Sequence, residues 1–128
     1  MKVTSLKLTL LIFLMSGCQG ENVRRKYKNL NAAIAAEEQV RGWLPPLLPK
    51  SSFNIKIYNN VDTNTGGGTF DFSPLERIVY TAIIKSKFAA NVLEGSTFTL
   101  VNFEYQKSQW NLTLPQSGKE ASWTLKPL

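Results

Sequence analysis

The side chains best placed to bind a cation lie in the segment VDTNTGGGTFDFSP, residues 61–74. Asp62 and Asn64 are two residues apart and precede three glycines, as in the opening of a calcium loop with oxygen ligands. Such a loop needs another oxygen ligand at its fifth position and a glutamate at its twelfth, but Gly66 and Ser73 stand there. We therefore predict a turn between two strands and no metal site. The same stretch remains a possible partner-binding loop, formed by Asp62, Asn64, Gly66 and Gly67.

Few catalytic designs are available to this sequence. It contains no histidine and one cysteine, which excludes histidine triads, histidine metal ligands and an internal disulfide. Carboxylate pairs, serine–lysine chemistry and lysine nucleophiles remain possible in principle. Glu76, Glu94 and Glu104 are the candidate acids of a hydrolase, but no spacing indicates that they converge. We predict no catalytic residue, no enzyme activity and no cofactor.

Length and composition indicate one folded domain. The chain has 128 residues, of which 43% are hydrophobic, an ordinary value for a globular protein. The formal charge is +6, and it falls to +4, from 13 basic and 9 acidic residues, without Lys2 and Lys7 of an N-terminal leader. Much of this surplus is local, because several cations crowd into one short segment: Arg24, Arg25, Lys26 and Lys28.

The first residues have the pattern of a secretory leader. A short basic region ending at Lys7 precedes an apolar run at residues 8–15. A helix that spans a membrane needs roughly 20 apolar residues, so this run is too short for a permanent span.

The residues that follow, LMSGC, resemble the bacterial lipobox. In lipobox proteins a diacylglycerol is attached to the cysteine and the leader is cut before it. The resemblance implies a signal peptide at residues 1–17 and lipidation of Cys18, and several acyl chains give lasting membrane attachment. Gln19 is similar to the second residue of lipoproteins sorted to the outer membrane, which implies a bacterial cell-envelope protein facing the periplasm. The alternative is that Cys18 is discarded with the leader.

Residues 18–30 are predicted to be the acylated cysteine and a flexible basic tether, because they are polar and lack apolar periodicity. The run RRKYK is expected either to lie near anionic lipid headgroups or to be a solvated linker. A nucleic-acid partner is not expected, since the patch is short and the chain is secreted.

The stretch NAAIAAEEQVRGW predicts a short N-terminal helix at residues 32–40, with Asn31 as N-cap and Gly42 as its end. The prolines of the next segment, WLPPLLP, end regular structure. We expect its bulky apolar residues to form an arm that packs on the core.

The main helix is predicted at residues 74–84. Ser73 and Glu76 have the spacing of a capping box, with Pro74 in the first turn. The apolar residues of this helix are predicted to face the sheet: Leu75, Ile78, Val79, Ala82 and Ile83.

Alternation of apolar and polar residues predicts the strands SFNIKIYN, TFDF, STFTLVNFEYQ, WNLTL and ASWTL. Short turns separate several of them, so neighbours should pair antiparallel. The predicted fold is a single small α+β domain at residues 31–128, with an antiparallel sheet of about five strands packed against one main helix and a short N-terminal helix.

Residues 41–72 also resemble a recurring core of small uncharacterised bacterial proteins, many of which carry lipoprotein leaders. No established activity comes with this resemblance. The matching positions are Gly42, Trp43, Leu44, Pro45, Leu48, Pro49, Asn54, Ile55, Asp62, Thr63, Asn64, Phe70 and Phe72.

The leading hypothesis is a membrane-anchored lipoprotein that acts as a non-catalytic binding or assembly module for an envelope protein or cell-wall partner. The alternative is an inhibitor or immunity lipoprotein that neutralises an envelope-active toxin or enzyme. The exposed loop would serve either function.

Overall fold

The computed structural model describes residues 22–128, and these form one antiparallel sheet of seven strands with three α-helices. The strands are β1 (Asn22–Asn29), β2 (Phe53–Asn60), β3 (Thr65–Asp71), β4 (Asn91–Glu94), β5 (Phe98–Tyr105), β6 (Ser108–Pro115) and β7 (Ala121–Pro127). The helices are α1 (Leu30–Ala35), α2 (Glu38–Arg41) and α3 (Arg77–Phe88), the last preceded by a 3-10 turn at Pro74–Glu76. The predicted signal peptide and Cys18 lie outside the described residues.

The strand order across the sheet is β1-β2-β3-β7-β6-β5-β4. The strands β1 to β3 form one antiparallel meander, and β4 to β6 form a second one. The late strand β7 lies between β3 and β6 and joins the two meanders. The strands β1 and β4 are therefore the two edges of the sheet.

The predicted fold class, an α+β domain with about five strands on one main helix, is wrong. The described residues are mostly β, and their sheet contains β1 and β4 in addition to the strands that alternation predicted. β1 does not show the alternation of apolar and polar residues, because cations stand where apolar residues would be expected. β4 has only 4 residues and is largely exposed at the sheet edge, so it shows no clear alternation.

One face of the sheet holds the core. A row of directly opposed residues crosses it on this face, and neighbours in such a row pack side by side. The row consists of Ile57, Gly68, Trp123, Leu112 and Val101. The helices and the arm cover this face, with Ala33, Leu44, Leu48, Tyr80 and Ile84 in the same buried cluster. The packing of the arm on the core was predicted and is confirmed.

The opposite face of the sheet is open to solvent, and the residues along its centre are mostly polar. Its central row runs from Arg24 through Tyr58, Gly67, Thr124, Asn111 and Asn102 to Asn91. Side chains that alternate along a strand point to opposite faces, so this open face also carries the exposed apolar residues Leu93 of β4 and Phe98 and Leu100 of β5.

The N-terminal helix is split in two and begins earlier than predicted. Asn29, not Asn31, is the N-cap, and its Oδ1 accepts a hydrogen bond from Ala32 N at 2.9 Å. Glu37 adopts a left-handed conformation with φ of 64°, which separates α1 from α2. Gly42 ends α2 with φ of 88°, as predicted. Within residues 22–128, no helix is both long and apolar enough to cross a membrane.

The main helix presents the opposite face to the one predicted. Its buried residues are Tyr80, Thr81 and Ile84, whereas the predicted apolar stripe is exposed. The capping box is also wrong, since neither side chain forms a cap hydrogen bond. Ser51 replaces it: its Oγ accepts from Ser73 N at 2.8 Å, and its own N donates to Glu76 Oε1 at 3.2 Å.

Candidate functional site: a basic open face of the sheet

The predicted flexible tether is wrong for residues 22–29, because they form the edge strand β1. Strand geometry sorts the basic run RRKYK onto two faces. Arg25 and Tyr27 lie on the core face, opposite Ile57 and Ile55 of β2. The exposed cations Arg24, Lys26 and Lys28 alternate with them and lie on the open face.

A buried glutamate fixes the inner side of β1. Glu38 of α2 is fully buried and forms a salt bridge with Arg25, through Nε and through Nη2, the latter at 3.1 Å. Tyr27 donates its hydroxyl to the same carboxylate at 2.6 Å. We call Arg25, Tyr27 and Glu38 the Glu38 cluster. It satisfies a charge that would otherwise be costly to bury, and it ties the edge strand to the helices.

The contacts within the Glu38 cluster stabilise its charged state. Burial by itself raises the pKa of Glu38, but hydrogen bonds from Arg25 and Tyr27 outweigh it, so this pKa is below its ordinary value. The hydrogen bond to Glu38 raises the pKa of Arg25. Burial, followed by the hydrogen bond to Glu38, raises the pKa of Tyr27. The cluster is therefore an ion pair at neutral pH.

The open side of β1 and β2 concentrates positive charge. Lys26 stands directly opposite Lys56 of β2, and directly opposed like charges destabilise a strand pair. We call Arg24, Lys26, Lys28 and Lys56 the basic face; all four side chains are exposed. Within the described residues, none of them forms an ion pair. An anion bound between the two lysines would relieve this repulsion.

The nearby acid Asp71 does not neutralise the basic face. Its Oδ2 accepts a hydrogen bond from Asn54 Nδ2 at 3.2 Å, and its Oδ1 accepts from Glu120 N at 2.8 Å. Asn54 has φ of 51° at an irregularity in the pairing of β2 with β3. Asp71 thus forms its hydrogen bonds at the end of β3, and the lysines of the basic face remain exposed to solvent.

The glycines predicted to belong to a loop are strand residues. Gly66 and Gly67 lie in β3 with Gly68, and none of them has the positive φ expected for a turn. A Cβ on Gly67 would lie 2.6 Å from the hydroxyl of Tyr58, so this ring lies over Gly67 on the open face. A Cβ on Gly68 would lie 2.3 Å from the ring of Trp123 on the core face.

The hairpin tip comprises residues 61–64, with Asp62 and Asn64 both exposed. The side chain of Asn60 orders the tip, since its Oδ1 accepts from Asp62 N at 3.0 Å and from Thr63 N at 3.2 Å. Asn64 adopts a left-handed conformation with φ of 55°. The tip stands beside the start of β1, because Asn22 pairs with Asn60.

The three glutamates considered for a hydrolase have separate surroundings. Glu76 accepts from the backbone of Ser51, and Glu94 forms a salt bridge with Arg77 at 2.8 Å. Glu104 is exposed on β5, five residues from Thr99, the strand partner of Glu94. Five residues of strand span about 17 Å, so Glu94 and Glu104 do not form a carboxylate pair. Among residues 22–128, no group of acidic, histidine or cysteine side chains could hold a metal ion.

Sequence reasoning recognised the basic run but placed it in a linker, and it missed Lys56 and Glu38 as neighbours of that run. The signal for β1 was an alternation of Arg24, Lys26 and Lys28 with Arg25 and Tyr27. It has the period of a strand, but the inner positions are polar. Their partner is a glutamate that follows in a later helix, and local patterns do not show such a contact.

Residues 21–71 match the family model of the YbbD head domain. The matched segment contains β1, α1, α2, the arm, β2 and β3, and therefore the whole basic face, the Glu38 cluster and the hairpin tip. No curated protein and no solved structure matches this chain.

Proposed function

We propose that this protein is a non-catalytic lipoprotein of the bacterial cell envelope, anchored through Cys18, whose domain binds the anionic headgroups of a membrane surface with the basic face. The observation that carries the proposal is the pair Lys26 and Lys56, directly opposed on an open sheet face and free of ion pairs within residues 22–128. The family match over residues 21–71 covers this same surface.

The position of β1 in the chain supports the proposal. Asn22, the start of β1, lies four positions after Cys18. A fully extended chain spans at most about 3.6 Å per residue, so an acyl chain on Cys18 would keep the start of β1 within roughly 14 Å of its attachment point. This distance is an upper limit, and a less extended linker brings β1 within the screening length of about 8 Å at physiological salt, where surface charges act on it.

The basic face has the chemistry expected of such a surface. Each lysine or arginine near an anionic membrane contributes about 1 kcal/mol, and the contribution falls with salt. Lysine stems are long enough to move their ammonium groups toward headgroup phosphates. The Glu38 cluster holds β1 in place from the other side, so the cations act as one surface.

Co-sedimentation with lipid vesicles tests this function. A chain that starts at Gln19 retains the core, which lies between Ala33 and Leu125, and it should bind vesicles that contain phosphatidylglycerol but not neutral ones. Replacing Lys26 and Lys56 by glutamine should lower the partition coefficient about 30-fold, from about 1 kcal/mol per lysine.

A matched control removes two cations elsewhere. Lys85 and Lys107 are exposed and lie outside the basic face, and their replacement by glutamine changes the net charge equally. Equal losses for both pairs would mean that net charge alone drives binding and would contradict the proposal. Intact mass of the protein from membranes tests the anchor separately, because a lipid-modified chain should begin at Cys18.

An inhibitor or immunity lipoprotein remains the second candidate, favoured by the exposed and ordered hairpin tip. Inhibitors often present a rigid protruding segment, since pre-ordering lowers the cost of binding. The double variant Asp62→Ala and Asn64→Ala should then lose protection of cells against a co-produced toxin, while the glutamine variants of the basic face keep it.

A further inference from the structure

The outward side of α3 and of the 3-10 turn before it carries a row of apolar residues that the fold leaves uncovered. Leu75 is 90% exposed, Ile78 69%, Val79 61% and Ile83 41%. Ala82 is also exposed, and these five residues form what we call the apolar stripe. Nothing within residues 22–128 packs over it. Contiguous exposed apolar surface of this kind marks an interaction site.

A groove widens the apolar stripe on one side. Leu47 and Pro49 of the arm, together with Lys50 directly after it, face Val79 and Ile83 across a groove of about 270 Å³. The floor is closed by Tyr80, whose hydroxyl donates to Leu47 O at 2.8 Å. The groove is therefore held open by the core packing of the arm.

Charges of opposite sign lie at the two ends of the same helical row. Glu76, Val79, Ile83 and Lys87 follow one another at helical spacings of three and four residues, so they lie along one side of the helix. Glu76 stands at the start of this row and Lys87 at its end. Within the described residues, Lys87 forms no ion pair.

We propose that the apolar stripe is a homodimer interface in which the α3 helices of two copies pack antiparallel. A twofold axis perpendicular to the helices inverts their direction and keeps each side of one helix against the same side of the other. Val79 of one copy then lies against Ile83 of the other, and Glu76 lies beside Lys87 of the other copy. The row is complementary to itself in this orientation.

The charge pattern favours a second copy over a membrane. An anionic lipid surface would attract Lys87 and Lys50 but repel Glu76, which lies along the same groove. An acidic helix of another protein would likewise attract Lys87 and Lys50 but repel Glu76, so the charge pattern also favours a second copy over such a partner. In the antiparallel pair, both ends of the row are matched at once.

Charge reversal gives a sharp test by sedimentation velocity. The chain that starts at Gln19 should show a concentration-dependent dimer. Glu76→Lys and Lys87→Glu should each raise the dimer dissociation constant about tenfold or more, because each reversal places like charges at both symmetry-related contacts. Mixing the two variants should restore dimers, since the mixed pair regains opposite charges at both contacts. Circular dichroism checks that each variant is folded.

A variant that leaves Glu76 intact provides a second measurement. Val79→Asp should abolish the dimer without unfolding the domain, because Val79 is exposed. Val40→Asp is the matched control: Val40 is 82% exposed on α2, and its replacement should leave the dimer unchanged. A wild-type domain that is monomeric at every concentration would overturn the proposal. A loss of vesicle binding on Val79→Asp, without any dimer in the wild type, would instead assign the stripe to lipid.

Discussion

Replacing Glu38 by glutamine should loosen β1 before the rest of the domain. The change keeps the size of the side chain and one acceptor for Tyr27, but it leaves the Arg25 guanidinium without its counter-charge. Loss of one partner of a buried ion pair costs about 3–5 kcal/mol. The Arg25 side chain remains 21% exposed and can regain some hydration, so we expect about 3 kcal/mol.

Urea unfolding measures this loss, and it corresponds to roughly 15 °C in melting temperature for a domain of this size. Amide exchange gives the local signature: protection should fall in β1 more than in β5 and β6, because the Glu38 cluster contacts β1 directly. Glu37→Gln is the matched control, since Glu37 is the exposed neighbour and the change removes the same charge. A cost below about 0.5 kcal/mol for Glu38→Gln, or an equal cost for the two variants, would refute this account.

The remaining predictions concern pH and packing. The pKa of Glu38 is lowered on folding, so its contribution to stability is complete above the unfolded pKa of about 4.3 and is lost as pH falls through the lower folded value. Urea unfolding between pH 2 and 6 should show a free energy of unfolding that falls with pH in the wild type and falls less steeply in Glu38→Gln. Gly68→Ala should cost about 1–3 kcal/mol in urea unfolding, because its methyl group would collide with a buried indole ring. Ile84→Ala should cost about 2–5 kcal/mol, whereas Ile78→Ala should change the stability of the monomer by less than about 0.5 kcal/mol, because only Ile84 is buried. Ser73→Ala should be similarly mild, since its side chain makes no cap hydrogen bond.

The alternation of apolar and polar residues predicted the central strands because one side of each strand is buried and the other is solvated. In β5, Val101 and Phe103 are buried while Phe98 and Leu100 are exposed, as the pattern required. The same reasoning placed Phe70 and Ile55 in the core, and both are fully or almost fully buried. One buried face and one solvated face leave a clear mark on the sequence.

The outward side of α3 could not be predicted in this way. The apolar residues on this exposed side outnumber those on the buried side of the helix, so the periodicity indicated the wrong face. The buried side of α3 instead carries Tyr80 and Thr81, whose hydroxyls donate hydrogen bonds to Leu47 O at 2.8 Å and Ile78 O at 3.0 Å. A sequence pattern reports amphipathicity, but it does not say whether the apolar side meets the core or a partner.

The place of β7 in the sheet constrains the order in which the domain can assemble during synthesis. β3 and β6 have no pairing with each other, and both wait for β7, so that Phe70 meets Ala121 only after residues 121–127 have emerged. Contacts between such distant residues close large loops and slow folding. Until then, each three-stranded half presents a free strand edge that can pair with another chain. A nascent chain would therefore keep these two strand edges unpaired until β7 has been made.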